Sequence, residues 1–140
     1  MRLFLDTNVL VSAIIFPDSH VAEFLAQAIE RHTIVISSYV VEELHEVFEA
    51  KFRSRVSALE AFLSKFSYEL VYIPHNIDLT QFPTVRDKDD IPIIASAILG
   101  HCDYLVSGDR DLLEIELERP RIVTPQNFKE IDYNETRSAP

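Results

Sequence analysis

The chain has 140 residues, the size of one ordinary domain, and such a chain buries roughly two-thirds of the surface it exposes when unfolded. Apolar residues at 47% and charged residues at 26% exclude disordered, collagen-like and low-complexity classes, and no apolar run approaches the eighteen or so residues of a membrane span. Thirteen Lys and Arg against 23 Asp and Glu leave a net charge of −10, which excludes a broad basic surface for polyanions but not an enzyme that gathers carboxylates around cations.

From Met1 to Phe16 the chain is apolar enough for a secretory leader, but Asp6 interrupts it and no small-residue cleavage site follows. The single Cys102 forms no internal disulfide and implies no oxidising compartment. Both readings point to the cytoplasm. Along the chain, bursts of Val, Ile, Leu and Phe at 2–5, 33–36, 70–73, 104–106 and 121–123 are strand-length. Between them, 21–29, 39–52, 56–66 and 93–99 carry helical periodicity. Strands alternating with helices predict an α/β fold in three layers, α/β/α, around a central, mainly parallel sheet, because parallel neighbours need crossover helices. Gly100 and Gly108 are the only glycines, so no Gly-rich phosphate loop exists; Gly100 reads as a helix C-cap. The longest loop is 75–90, and 130–140 reads as a frayed polar tail.

In an open parallel sheet ligands sit beyond the carboxyl ends of the strands. Asp6, with Thr7 and Asn8, follows the first strand, and Ser107-Gly108-Asp109-Arg110-Asp111 follows the fourth. Each Asp alone would serve as a helix N-cap. On the segment 39–52, steps of 100° place Val40, Val41, Leu44, Val47 and Phe48 on the core face, Glu43 about 100° away at the flank, and Glu42 and Glu46 about 160° away in water. On 93–99 the same arithmetic turns Asp90 inward and Asp89 outward, although Pro92 is expected to hold Ile91 out of helical geometry. Asp6, Glu43, Asp90 and Asp109, with Asp111 at lower weight, thus form a candidate cluster. No sequence-near cation neutralises it, whereas Mg²⁺ or Mn²⁺ suits such hard oxygen ligands. The plainer reading is an acidic surface on an acidic protein.

The pattern resembles a PIN domain, closest to the small prokaryotic PIN proteins of which VapC-type toxins are best known. The likeness rests on Leu5-Asp6-Thr7-Asn8-Val9-Leu10, on Ser37-Ser38 followed by Glu43-Leu44, on Arg86-Asp87-Lys88-Asp89-Asp90 before Ala95-x-Ala97, and on Asp103 to Leu113. Thr124 to Phe128 adds to it. The resemblance implies a PIN-like nuclease domain over residues 1–130, a polar tail over 131–140, and a Mg²⁺- or Mn²⁺-dependent ribonuclease. Asp6, Glu43, Asp90 and Asp109 take the family's four acidic places, Asp111 an accessory one, and Asn8 the polar place in the first motif. Thr7 and Ser107 are expected to hold carboxylates from behind. An RNA substrate, a small antitoxin, a homodimer and a cytoplasmic location are further implications. Arg53, Arg55, Lys65, Arg86, Lys88 and Arg110 are candidate phosphate contacts.

Two rivals stay open. A haloacid-dehalogenase-like phosphatase resembles the strand-end Asp and the Gly-Asp pair, but its first motif carries a second Asp where Asn8 stands here. An inactive PIN fold could act as a binding module. The five histidines form no zinc pattern.

Overall fold

The computed structural model of the protein describes residues 1–83 and 85–138. Among these residues five strands form the sheet: β1 (Arg2–Leu5), β2 (Thr33–Ser37), β3 (Glu69–Val71), β4 (Tyr104–Val106) and β5 (Arg121–Val123). Their order is β3-β2-β1-β4-β5, and every neighbouring pair is parallel. Among the described residues seven α-helices complete the fold: α1 (Thr7–Ile15), α2 (His20–Arg31), α3 (Ser38–Lys51), α4 (Val56–Lys65), α5 (Ile91–Leu99), α6 (Arg110–Leu113) and α7 (Pro125–Ser138). This is the predicted three-layer α/β fold. No single helix among the described residues is long and apolar enough to cross a membrane.

Burial on both sheet faces explains why the central strands are apolar without alternation. Leu3, Phe4 and Leu5 of β1 and Ile34, Val35 and Ile36 of β2 are all buried. Residues two apart face the same layer. Accordingly Val35 lies under the Cα of Gly100, and Ser37 meets Ser96 of α5, whose hydroxyls stand 2.8 Å apart. Ser37 also caps α3 by accepting the Val40 N–H at 3.3 Å, and the Ser96 hydroxyl donates to the Pro92 carbonyl at 2.6 Å. One buried hydroxyl pair therefore ties the start of α3 to the first turn of α5.

At the opposite margin of the sheet Arg2 gathers three segments onto β1. Its backbone N–H donates to Asp103 at 2.8 Å, its Nε and Nη2 donate to the Gly100 carbonyl at 3.0 and 2.9 Å, and its Nη1 pairs with Glu69 at 2.5 Å.

Two sequence expectations need correction, and one stands. The tail drawn from Glu130 is helical to Ser138, within α7. Thr124 starts that helix by accepting the Asn127 N–H at 3.0 Å, with Pro125 in the first turn, where a missing N–H costs nothing. Asp132 then pairs with Arg31 at 3.1 Å and His32 at 3.2 Å. Ile91 is helical despite Pro92, with φ −60° and ψ −43°, because a proline in the second helical position removes an N–H that lacks an intrahelical partner anyway. Gly100 caps the end of α5 as expected, with φ −80°, and the left-handed residue is the next one, His101, at φ 52°.

Candidate metal centre

Asp6 follows β1 directly, and its N–H donates to the Val106 carbonyl at 3.0 Å, which fastens it to the end of β4. It stands at the N-cap of α1 but its side chain caps nothing. Instead Oδ2 accepts the Ser107 hydroxyl at 2.7 Å. Ser107, fully buried, accepts the Asp109 N–H on the same oxygen at 3.0 Å, and Asp109 in turn caps α6 by accepting the Asp111 N–H at 2.9 Å. One serine thus links the two strand-end aspartates. Asp6 is only 5% exposed. Burial pushes its carboxyl above the usual range, the hydrogen bonds from Ser107 and the Thr7 N–H oppose the shift, and the charges of Glu43 and Asp109 add to it.

Glu43 is half-buried on α3 and accepts the Tyr39 phenol at 3.4 Å, one helical turn back. Burial and the charges of Glu43, Asp89 and Glu46 hold that phenol up at about 12. Glu42 and Glu46 are exposed, and Glu42 pairs with His75 at 3.0 Å.

Asp90 ends a short 3-10 turn, Lys88–Asp90, that runs into α5. Its Oδ2 is inaccessible and has no hydrogen-bond partner. Burial and then the charges of Asp109, Asp87, Asp6 and Asp111 push its carboxyl up to about 6. Oxygens of Asp87, Asp90 and Asp111 lie within 4.8 Å of one another. Asp89, the residue between, is exposed and lies outside this group.

Asp87 is the member that sequence reasoning left out. It caps the 3-10 turn by accepting the Asp89 N–H at 2.9 Å. The signal was its spacing of three from Asp90, since residues i and i+3 eclipse in a 3-10 helix and are also neighbours on one face of an α-helix. Thr7 is buried, yet its hydroxyl has no partner and holds no carboxylate, while Asn8 is exposed. Among the described residues one ion pair reaches these carboxylates, Arg86 Nη1 to Asp111 Oδ1 at 3.9 Å.

The donor set fits a hard divalent cation. The oxygens brought within 4.8 Å of one another are those of Asp87, Asp90 and Asp111, and this group does not include Asp6, Glu43 or Asp109; the unpartnered Asp90 oxygen is the kind of buried group that calls for a counter-charge. A separate groove of about 310 Å³ between α2 and α7, lined by Phe24, Ala28, Phe128 and Tyr133 among others, contains none of these carboxylates.

The PIN domain family, compared by sequence, matches residues 2–111. The chain belongs to the PIN-domain family. Solved structures agree with this at the level of the fold. A chain of VapBC2 from Rickettsia felis, bound to a DNA fragment from their promoter, is similar at 25% identity with a TM-score of 0.64, over 88% of this chain and 97% of that one. PAE2754 from Pyrobaculum aerophilum is similar at 17% identity with a TM-score of 0.60, over 95% of this chain and 90% of that one. No curated protein matches the sequence. In this PIN domain Asp6 and Asp109 follow the carboxyl ends of β1 and β4, neighbouring strands of the sheet, where ligands of open α/β sheets are bound.

Proposed function

We propose that this PIN domain is a metal-dependent endoribonuclease and the toxin component of a toxin–antitoxin pair. The observation that carries the reading is Asp90: a carboxylate with one inaccessible, unpartnered oxygen, pushed up to about 6 by burial and by the acidic residues facing it. Asp6, Glu43, Asp90 and Asp109 would hold Mg²⁺ or Mn²⁺, with Asp111 as an accessory ligand. When bound, such an ion makes a coordinated water a usable nucleophile near neutral pH and stabilises charge on phosphoryl oxygens. Ser107 orients Asp6 through its hydroxyl and Asp109 through its backbone, and Tyr39 restrains Glu43. Selectivity for RNA would come from contacts outside the acidic cluster, since bases are read mostly in single-stranded regions.

A small antitoxin, a homodimer and a cytoplasmic setting belong to the same reading. Support for the antitoxin is the likeness to VapBC2, together with the family resemblance. The haloacid-dehalogenase alternative is disfavoured by Asn8, which cannot act as the second acid of that motif.

The test is cleavage of single-stranded RNA with Mn²⁺ or Mg²⁺. Metal-assisted hydrolysis leaves a 5′-phosphate and a 3′-hydroxyl, so fragments should ligate without end repair. Asp6→Asn and Asp90→Asn should each lower the rate by at least about a hundredfold while keeping the fold, because each removes ligand charge without removing volume. Cyclic-phosphate ends, cleavage in EDTA, or turnover of para-nitrophenyl phosphate in place of RNA would overturn the proposal.

A further inference from the structure

Arg86 differs from the other arginines that carry ion pairs. Arg2 lays both faces of its fork on Gly100 and Glu69; Arg31 grips Asp132 and Thr136; Arg119 pairs with Asp103 at 3.2 Å and donates to the His101 carbonyl at 3.1 Å. Arg86 makes one contact, 3.9 Å from Asp111, too long for a hydrogen bond, and its side chain is 82% exposed. Its five N–H donors are therefore free of protein acceptors among the described residues. Lys88 and Arg110 are exposed too, but no ion pair brings either to the carboxylates.

The partner of this loose contact decides its meaning. Asp111 is also one of the three carboxylates whose oxygens lie within 4.8 Å of one another. A divalent cation on those oxygens competes with the guanidinium for Asp111 and carries twice its charge. Displaced, Arg86 would stand at the rim of the acidic cluster with its fork open, where phosphates of a bound strand must pass. In a protein of net charge −10, a bare carboxylate cluster repels RNA, so a local cation released on metal loading couples the two binding events. A guanidinium suits the task, because its planar fork matches phosphate oxygens bidentately.

Resting on the nuclease reading above, we propose that Arg86 is a phosphate-binding residue, held by Asp111 while the acidic cluster is bare and turned onto an RNA phosphate when a divalent cation engages Asp111. The probe is a mixed-sequence, 12-nucleotide single-stranded RNA whose binding to the full chain is followed by fluorescence anisotropy. Ca²⁺ serves as the cation, and the titration is repeated in EDTA. Wild-type protein should bind more tightly in Ca²⁺ than in EDTA. Arg86→Gln should weaken binding about tenfold in Ca²⁺ and flatten the slope of log affinity against log salt by about 0.7, one phosphate contact on a single strand. In EDTA it should change little. Arg86→Lys should recover the salt slope and only part of the affinity.

Calorimetric Mn²⁺ affinity of Arg86→Gln should equal or exceed that of wild type, since a competing cation has gone. Unchanged RNA binding in Ca²⁺ would make Arg86 a solvated surface charge and overturn the proposal. An equal loss in EDTA would overturn the exchange on Asp111, and weaker Mn²⁺ binding would make Arg86 a structural support of the cluster. Wild-type protein that binds Mn²⁺ yet cleaves no RNA would sink the nuclease reading alone, because the anisotropy needs no turnover.

Discussion

Asp90 shows how one side chain ties stability to pH. Its carboxyl, at about 6 in the folded chain, holds its proton more tightly than an unfolded aspartate does near 3.9. This contribution therefore favours folding fully below about pH 4 and is lost as the pH rises through 6. Asp6 shifts in the same direction. In EDTA, wild-type protein should melt at a higher temperature at pH 5 than at pH 7.5, and Asp90→Asn should narrow that gap and melt a few degrees higher at pH 7.5. Differential scanning calorimetry of the pair decides it; a mutant less stable than wild type at pH 7.5 would contradict the repulsion. At this scale the sequence was informative wherever the helix was regular. The 100° step separated Glu43 from Glu42 and Glu46, which lie on the solvent side of α3. Asp87 escaped because it precedes the turn Lys88–Asp90, outside the periodic segment 93–99, and the idle Thr7 hydroxyl escaped because satisfaction of a hydrogen bond depends on distant chain.

At the scale of elements, the two glycines make opposite demands. A Cβ on Gly100 would stand 3.1 Å from Val35 and 3.2 Å from both Val71 and the Ser96 carbonyl, so the end of α5 rests closely on β2 and β3 and a methyl group fits only if these neighbours give by a few tenths of an ångström. A Cβ on Gly108 would meet nothing within 4 Å. Gly100→Ala should cost about 1–3 kcal/mol in urea unfolding, whereas Gly108→Ala should be neutral or slightly stabilising through the unfolded chain. Equal effects would show that packing under α5 is not what fixes Gly100. Strands were legible because each is a short apolar burst between polar segments. Three helices were not. α1 buries Thr7, Val9, Leu10, Ala13 and Ile14 and has too little polar face for a period to register. α6 is one turn long, and α7 presents one fully buried anchor, Phe128, in an otherwise polar run.

For the molecule as a whole, that anchor closes the fold. Phe128 packs edge-on against Phe24 at 6.0 Å, His32 at 5.3 Å and Tyr104 at 5.4 Å between ring centres, which joins α7 to α2 and to β4. Phe128→Ala should cost about 3–5 kcal/mol, read by urea denaturation, with Mn²⁺ affinity unchanged in the folded fraction. A small cost would return the segment after Thr124 to the status of a tail. Global topology was legible because strand-helix alternation admits few right-handed arrangements. The docking of α7 was not, since it depends on Asp132 meeting Arg31 and His32 across a hundred residues.

The grip of Arg2 on Gly100, Glu69 and Asp103 gives the sheet a direction of failure. One margin is cross-linked, while the other carries mutually repelling charge. Without cation, the sheet should breathe like a fan pinned at its handle. Native-state hydrogen exchange reads this directly: the Asp6, Asp109 and Asp111 amides should exchange well before those of Arg2, Thr33 and Asp103. Adding Mn²⁺ should slow the first set and leave the second untouched, so that loading the site evens out rigidity along the strands.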